Sequence, residues 1–185
     1  GLCRLGDHYW GFEDSGVVPD IVTMGKPMGD GHPLAVVVTT PAIARTFAER
    51  SNYFNTFGGN PVSTAVGKAV LEVVEREGIR ANVKETGEHL KAGLWKLTAM
   101  HDLIGEVRGK GLFLAVELVR DRDSKEPASK EAARALELMR ESGVLLALIG
   151  KHRNILKLRP PLVFKREHAD FALEKLDEAL KAALT

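Results

Sequence analysis

The sequence predicts a mixed α/β chain in which an α/β part meets a smaller α+β module near Gly78–Asn82. Three observations carry this reading. Nine of the 18 glycines fall within the first 60 residues, where they break short β-branched runs rather than long helices. From Val62 to Val74 apolar residues recur at intervals of three and four, the period of one buried helix face. Beyond residue 104, short strands and helices mix without the strict alternation of βαβ units.

Taken in order, Val18–Met24 reads as a strand entered through Pro19 and stopped by Gly25, and Leu34–Thr39 as a second β-branched strand. A short helix over Pro41–Glu49 follows, with proline at its first position. The loop Ser51–Asn60 leads into the helix that carries Val62, Ala65, Val66, Ala69, Val70, Val73 and Val74, one face of which should be buried. A helix over Ile79–Met100 contains Gly87 and Gly93, two poor helix formers. Strands at Ile104–Arg108 and Leu112–Val119 flank Gly109-Lys110-Gly111, a tight connection lacking the third glycine of a dinucleotide fingerprint. A helix over Ser129–Glu141, strands at Val144–Leu148 and Ile155–Leu158, and an amphipathic helix over Glu167–Ala183 complete the chain.

Composition bounds the function. The 185 residues are enough to bury a core, and 44% hydrophobic with 28% charged residues is the balance of a globular protein. With 26 basic against 25 acidic groups the chain has no net field for nucleic acid or an anionic membrane, and no apolar run reaches the roughly 20 residues of a membrane span. The single cysteine, Cys3, excludes an internal disulfide framework and a multi-thiolate metal site, which suits a cytoplasmic protein. The six histidines show no metal-ligand spacing, and Ser15, Ser51 and Ser63 lack a nucleophile-elbow context. The chain opens on Gly1-Leu2-Cys3, without methionine or a signal-peptide pattern.

Three places can carry chemistry. Lys26 follows a strand within Gly25-Lys26-Pro27-Met28-Gly29-Asp30-Gly31, where a partly buried amine can act as a nucleophile, although most of the 13 lysines must be solvated surface groups. Asn55-Thr56-Phe57-Gly58-Gly59-Asn60-Pro61 feeds a helix N-terminus, either as a phosphate site with the Thr56 hydroxyl as donor or as an ordinary loop capped by Asn60. Lys157 and Arg159 share one face of a strand, and Arg159, held before Pro160-Pro161, can clamp a carboxylate or phosphate; a solvated basic edge strand is the alternative.

Val17–Lys26, the glycine-rich turn after it and Phe57-Gly58-Gly59-Asn60-Pro61 together resemble the pyridoxal-phosphate-dependent class III aminotransferases. The likeness continues through Gly105–Phe113 and Lys157–Phe164. The resemblance implies a fold type I transferase, with residues 1–80 forming the C-terminal part of the large cofactor-binding domain and residues 81–185 a small α+β C-terminal domain. It implies that Lys26 forms a Schiff base with pyridoxal 5′-phosphate and moves the proton between Cα and the cofactor C4′. It implies also that Thr56 binds the cofactor phosphate in the neighbouring subunit of a homodimer. Arg159 and Lys157 would receive the anionic group of the substrate. The implied reaction moves an amino group from an amino acid or amine to a 2-oxo acid. Gly6–Glu13 and Asn154–Pro161 resemble most the branch that holds alanine–glyoxylate aminotransferase 2-like proteins and amino-alcohol-phosphate phospho-lyases, so elimination of phosphate is the alternative reaction. In the family the aspartate facing the pyridine nitrogen would precede Gly1, so the chain is expected to be the C-terminal portion of a larger enzyme and inactive alone. A non-catalytic domain that binds phosphate ligands or a subunit is the reading from a different class.

Overall fold

A computed structural model describes residues 1–184. Local chemistry places most helix starts. The Thr40 hydroxyl accepts from the Ile43 N–H at 3.4 Å ahead of α1 (Pro41–Arg50), and Asn60 Oδ1 accepts from the Ser63 N–H at 2.8 Å ahead of α2 (Pro61–Arg76). Gly78, left-handed at φ 60°, turns the chain directly into α3 (Ile79–Met100). The later helices are α4 (Ser129–Glu141) and α5 (Arg166–Ala182).

The strands form two separate antiparallel sheets. In the first, β1 (Ile21–Met24) pairs with β2 (Val36–Thr39), Met24 opposite Val36. The second has the order β3-β4-β6-β5, from β3 (Ile104–Lys110), β4 (Phe113–Leu118), β5 (Ala147–Ile149) and β6 (Ile155–Leu158). Alternation along β4 and β6 puts Leu114, Val116, Leu118, Leu156 and Leu158 on one face, buried with Leu90 and Leu94 of α3, Met139 of α4 and Leu176 and Leu180 of α5. A smaller core of Cys3, Val74, Ile79, Val83 and Leu112 joins the N-terminal segment to the α2–α3 corner. No helix among the described residues is long and apolar enough to cross a membrane.

Three expectations are corrected. The first strand begins at Ile21 rather than Val18, since only Ile21–Met24 finds partners in β2. The strand expected over Val144–Leu148 is Ala147–Ile149, because Val144 still donates its N–H to Met139 O at 2.8 Å around Gly143 (φ 85°), closing the end of α4 instead of joining a ladder. The apolar stripe of α2 is only partly covered: Gly67 and Val74 are buried, while Val62, Ala65 and Ala69 are exposed. Gly67 marks where the loop after β1 lies closest, since a Cβ there would meet Leu34 Cδ2 at 2.7 Å.

Candidate active site

Lys26 leaves the end of β1 through Gly25, around which an added Cβ would meet nothing within 4 Å. Its own backbone is left-handed (φ 38°), an unusual state for a lysine, and begins a 3-10 turn over Lys26–Met28. The turn is held by the Gly29 N–H on Lys26 O (3.2 Å), by buried Met28 and by His32, whose Nε2 lies 2.8 Å from Ser63 Oγ at the start of α2. Asn60 Nδ2 donates to the same hydroxyl at 3.0 Å, so the cap of α2 and the lysine turn share one hydrogen-bonded cluster. The lysine was expected to be partly buried; it is exposed, because the open space at Gly25 leaves that side of the turn uncovered.

A cleft of about 720 Å³ opens beside Lys26, with Arg4, Trp10, Phe12 and Arg159 among its lining residues and no Asp or Glu. Neither the Lys26 amine nor the Arg159 guanidinium has a hydrogen-bond or ion-pair partner among the described residues. Arg159 follows the last residue of β6, and Arg4 Nη1 donates to Pro160 O at 2.7 Å and to Leu112 O at 3.1 Å. Burial, and then the nearby Arg159 charge, hold Arg4 below the ordinary arginine pKa.

The wall bearing Trp10 and Phe12 is tied down by charge. Asp7 pairs with Lys84 (2.8 Å) and Lys110 (2.9 Å), and Lys110 also pairs with Asp14. Hydrogen bonds from the two lysines hold the Asp7 carboxyl down at about 2.

The other expected site residues stand elsewhere. Lys157 lies inside the sheet, opposite Ala115 and Ala147, and does not line the cleft; Arg159 does, because it has passed beyond the ladder. Thr56 is exposed in the loop before α2 and outside the Lys26 cleft, and its hydroxyl has no partner among the described residues. Much of that loop serves itself: Asn55 Oδ1 accepts the N–H groups of Phe57 and Gly58 at 3.1 Å, and Asn60 caps the helix. Arg4, Trp10 and Phe12 were not singled out by the sequence; the glycine between the two aromatics of Trp10-Gly11-Phe12 is a local signal for those two, and Arg4 has none.

The class III aminotransferase family model matches residues 1–180. The chain belongs to the class III aminotransferases. It is 49% identical over 180 residues to alanine–glyoxylate aminotransferase 2 homolog 2, mitochondrial, of Arabidopsis thaliana, covering 97% of this chain and 37% of that protein. It is 42% identical to ethanolamine-phosphate phospho-lyase homolog 1 of Caenorhabditis elegans, covering 97% of this chain and 39% of that one. Among solved structures it superposes on a phospholyase from Arthrobacter in complex with phosphoethanolamine with a TM-score of 0.94 and 42% identity, over 98% of this chain and 43% of that chain. The class III aminotransferase chain thus has the mixed α/β architecture of fold type I transferases while spanning less than half the length of these relatives. Aminotransferases of this class use pyridoxal phosphate. The residues here fit that group, since an unpaired primary amine suits its aldehyde and a cleft without carboxylates does not repel its negative charge.

Proposed function

We propose that the chain supplies the lysine and the substrate-anion side of a pyridoxal-phosphate-dependent aminotransferase site, which transfers an amino group from an amino acid or amine to a 2-oxo acid. One observation carries it: Lys26 and Arg159, both unpaired, face one cleft that contains no carboxylate. When bound, pyridoxal phosphate supplies a carbonyl carbon for amines and a ring that draws electrons from the substrate Cα. Lys26 Nζ holds the cofactor in the resting site and, once free, takes the proton from the substrate Cα. Arg159 orients the substrate through its anionic group, and Trp10 and Phe12 exclude water from one side. Lys157, held within the β6 ladder and outside the cleft, is a weaker candidate for the same anion.

Thr56 is proposed to hold the cofactor phosphate across a homodimer interface. Its free hydroxyl lies in a loop with exposed Phe54 and Phe57 and away from Lys26, which supports a role toward another subunit. We likewise read residues 1–80 as part of a large cofactor-binding domain and 81–185 as a small C-terminal domain. The proposed cytoplasmic location rests on a lone buried thiol, while the name of the Arabidopsis relative is that of a mitochondrial protein.

The second reading, elimination of phosphate from a phosphorylated amino alcohol, uses the same Lys26 proton transfer with Arg159 on the phosphate. The unpaired guanidinium can receive a phosphate as well as a carboxylate. Incubation with pyridoxal phosphate, borohydride reduction and peptide mapping should label Lys26 ahead of the other lysines, and Lys26→Ala should remove that label. Uniform surface labelling would contradict the assignment. Phosphate release from phosphoethanolamine without a keto acid separates the lyase from the aminotransferase.

A further inference from the structure

Arg4 is where three parts of the site meet. Besides its bonds to Leu112 O and Pro160 O, its own carbonyl accepts the Leu112 N–H at 3.0 Å. The approach is so close that Gly111, at φ 55°, has no room for a Cβ, which would lie 2.4 Å from Arg4 O. The segment that bears Trp10 and Phe12 is therefore pressed against the β3–β4 hairpin backbone. From there Arg4 spans to the residue after Arg159.

One nitrogen of Arg4 takes both carbonyls; its Nη2 and Nε groups have no acceptor among the described residues. No carboxylate pairs with Arg4 or with Arg159 among the described residues, and none lines the cleft that both share with Lys26. Their charges are near enough for Arg159 to oppose the protonated form of Arg4. With Lys26, Arg4 and Arg159 bring three cationic side chains to one cleft without a counter-ion, and they repel one another until an anion enters.

We propose that Arg4 is a specificity-determining residue of this cleft: it fixes the backbone from which Arg159 enters, and its charge favours a doubly charged phosphate over a singly charged carboxylate. The attraction of a fixed cation for an anion scales with the anion's charge, and a phosphate monoester carries about −1.5 to −2 at pH 7 with a second pKa near 6. The preference therefore shrinks below about pH 6, where the phosphate loses its second charge. This rests on reading the cleft as the active site.

Phosphoethanolamine and β-alanine carry the same aminoethyl group on a phosphate and on a carboxylate. Their binding to the purified protein is measured by calorimetry for wild type, Arg4→Lys and Arg4→Gln. Wild type should prefer phosphoethanolamine; Arg4→Gln should lose that preference by about 3- to 10-fold, and Arg4→Lys, which keeps the charge but not the planar fork, should retain it with weaker overall binding. A wild-type preference in Arg4→Gln, or no preference in the wild type, overturns the proposal. Circular dichroism checks that the glutamine variant folds; if it does not, Arg4→Lys carries the test, and loss of its preference is the overturning result. Labelling of Lys26 is scored separately. Labelling intact with no Arg4-dependent preference refutes the role of Arg4 alone, and the converse refutes the role of Lys26 alone.

Discussion

Cys3 shows what surroundings add to residue type. It is fully buried in the corner between the N-terminal segment and α3, and that burial pushes its thiol up to about 11, against the pull of nearby Arg80. The folded state thus favours the protonated thiol. Its contribution to stability is complete below the unfolded thiol pKa near 9 and is lost as pH rises through about 11. A disulfide reagent at pH 8 should modify Cys3 slowly in the native protein and at once in denaturant; equal rates would mean that the corner is open. Lys26 and Arg4 make the contrast in legibility. Lys26 is visible in the sequence because the end of a strand followed by glycine and proline is a local pattern. Arg4 is not, since its partners are backbone carbonyls 108 and 156 residues away, and any residue type offers a carbonyl.

At the scale of elements, α3 explains its own glycines. Read from composition, Gly87 and Gly93 only weaken a helix. In the structure, Gly87 lets the helix lie against the Gly111 backbone, where a Cβ would come within 2.5 Å, while Gly93 faces the Leu173 side chain. Backbone cannot yield, but the end of a leucine can rotate. Gly87→Ala should therefore destabilise the protein by about 1–3 kcal/mol through overpacking. Gly93→Ala should cost less: both changes gain about 1 kcal/mol of helix propensity, but only at Gly93 is the obstacle a side chain that can move aside. Urea unfolding of both variants checks the order, and a larger loss at Gly93 would contradict it. Most helices were legible because caps and three-to-four spacing are local; Ile79–Met100 and Ser129–Glu141 match the structure to the residue. The strand at 144–148 was misread because its apolar residues look like a strand, and only the Schellman-type bond from Val144 shows that the backbone is already engaged.

The whole molecule divides into a well-buried α+β half and an N-terminal half with much bare apolar surface. Val18 is 93% exposed, Phe54 85% and Phe57 80%, in the region that also holds the uncovered stripe of α2. Surface of this kind favours association. Sedimentation should show species larger than the 20.2 kDa monomer that grow with concentration, and Phe54→Ser with Phe57→Ser should reduce them; a monomer at every concentration would argue against a self-associating face. The sequence by itself placed the helices to within about a residue at their ends, put Lys26 at a strand end and determined membership of the class III aminotransferases, because each of these rests on order and spacing along the chain. Only the tertiary structure decided that Arg159 rather than Lys157 shares the cleft with Lys26, that Arg4 stands behind it, and that Val62, Ala65 and Ala69 of the α2 stripe lie open. Those outcomes depend on packing between segments far apart in sequence, where a residue just beyond the end of a ladder reaches a cleft that its neighbour within the ladder does not.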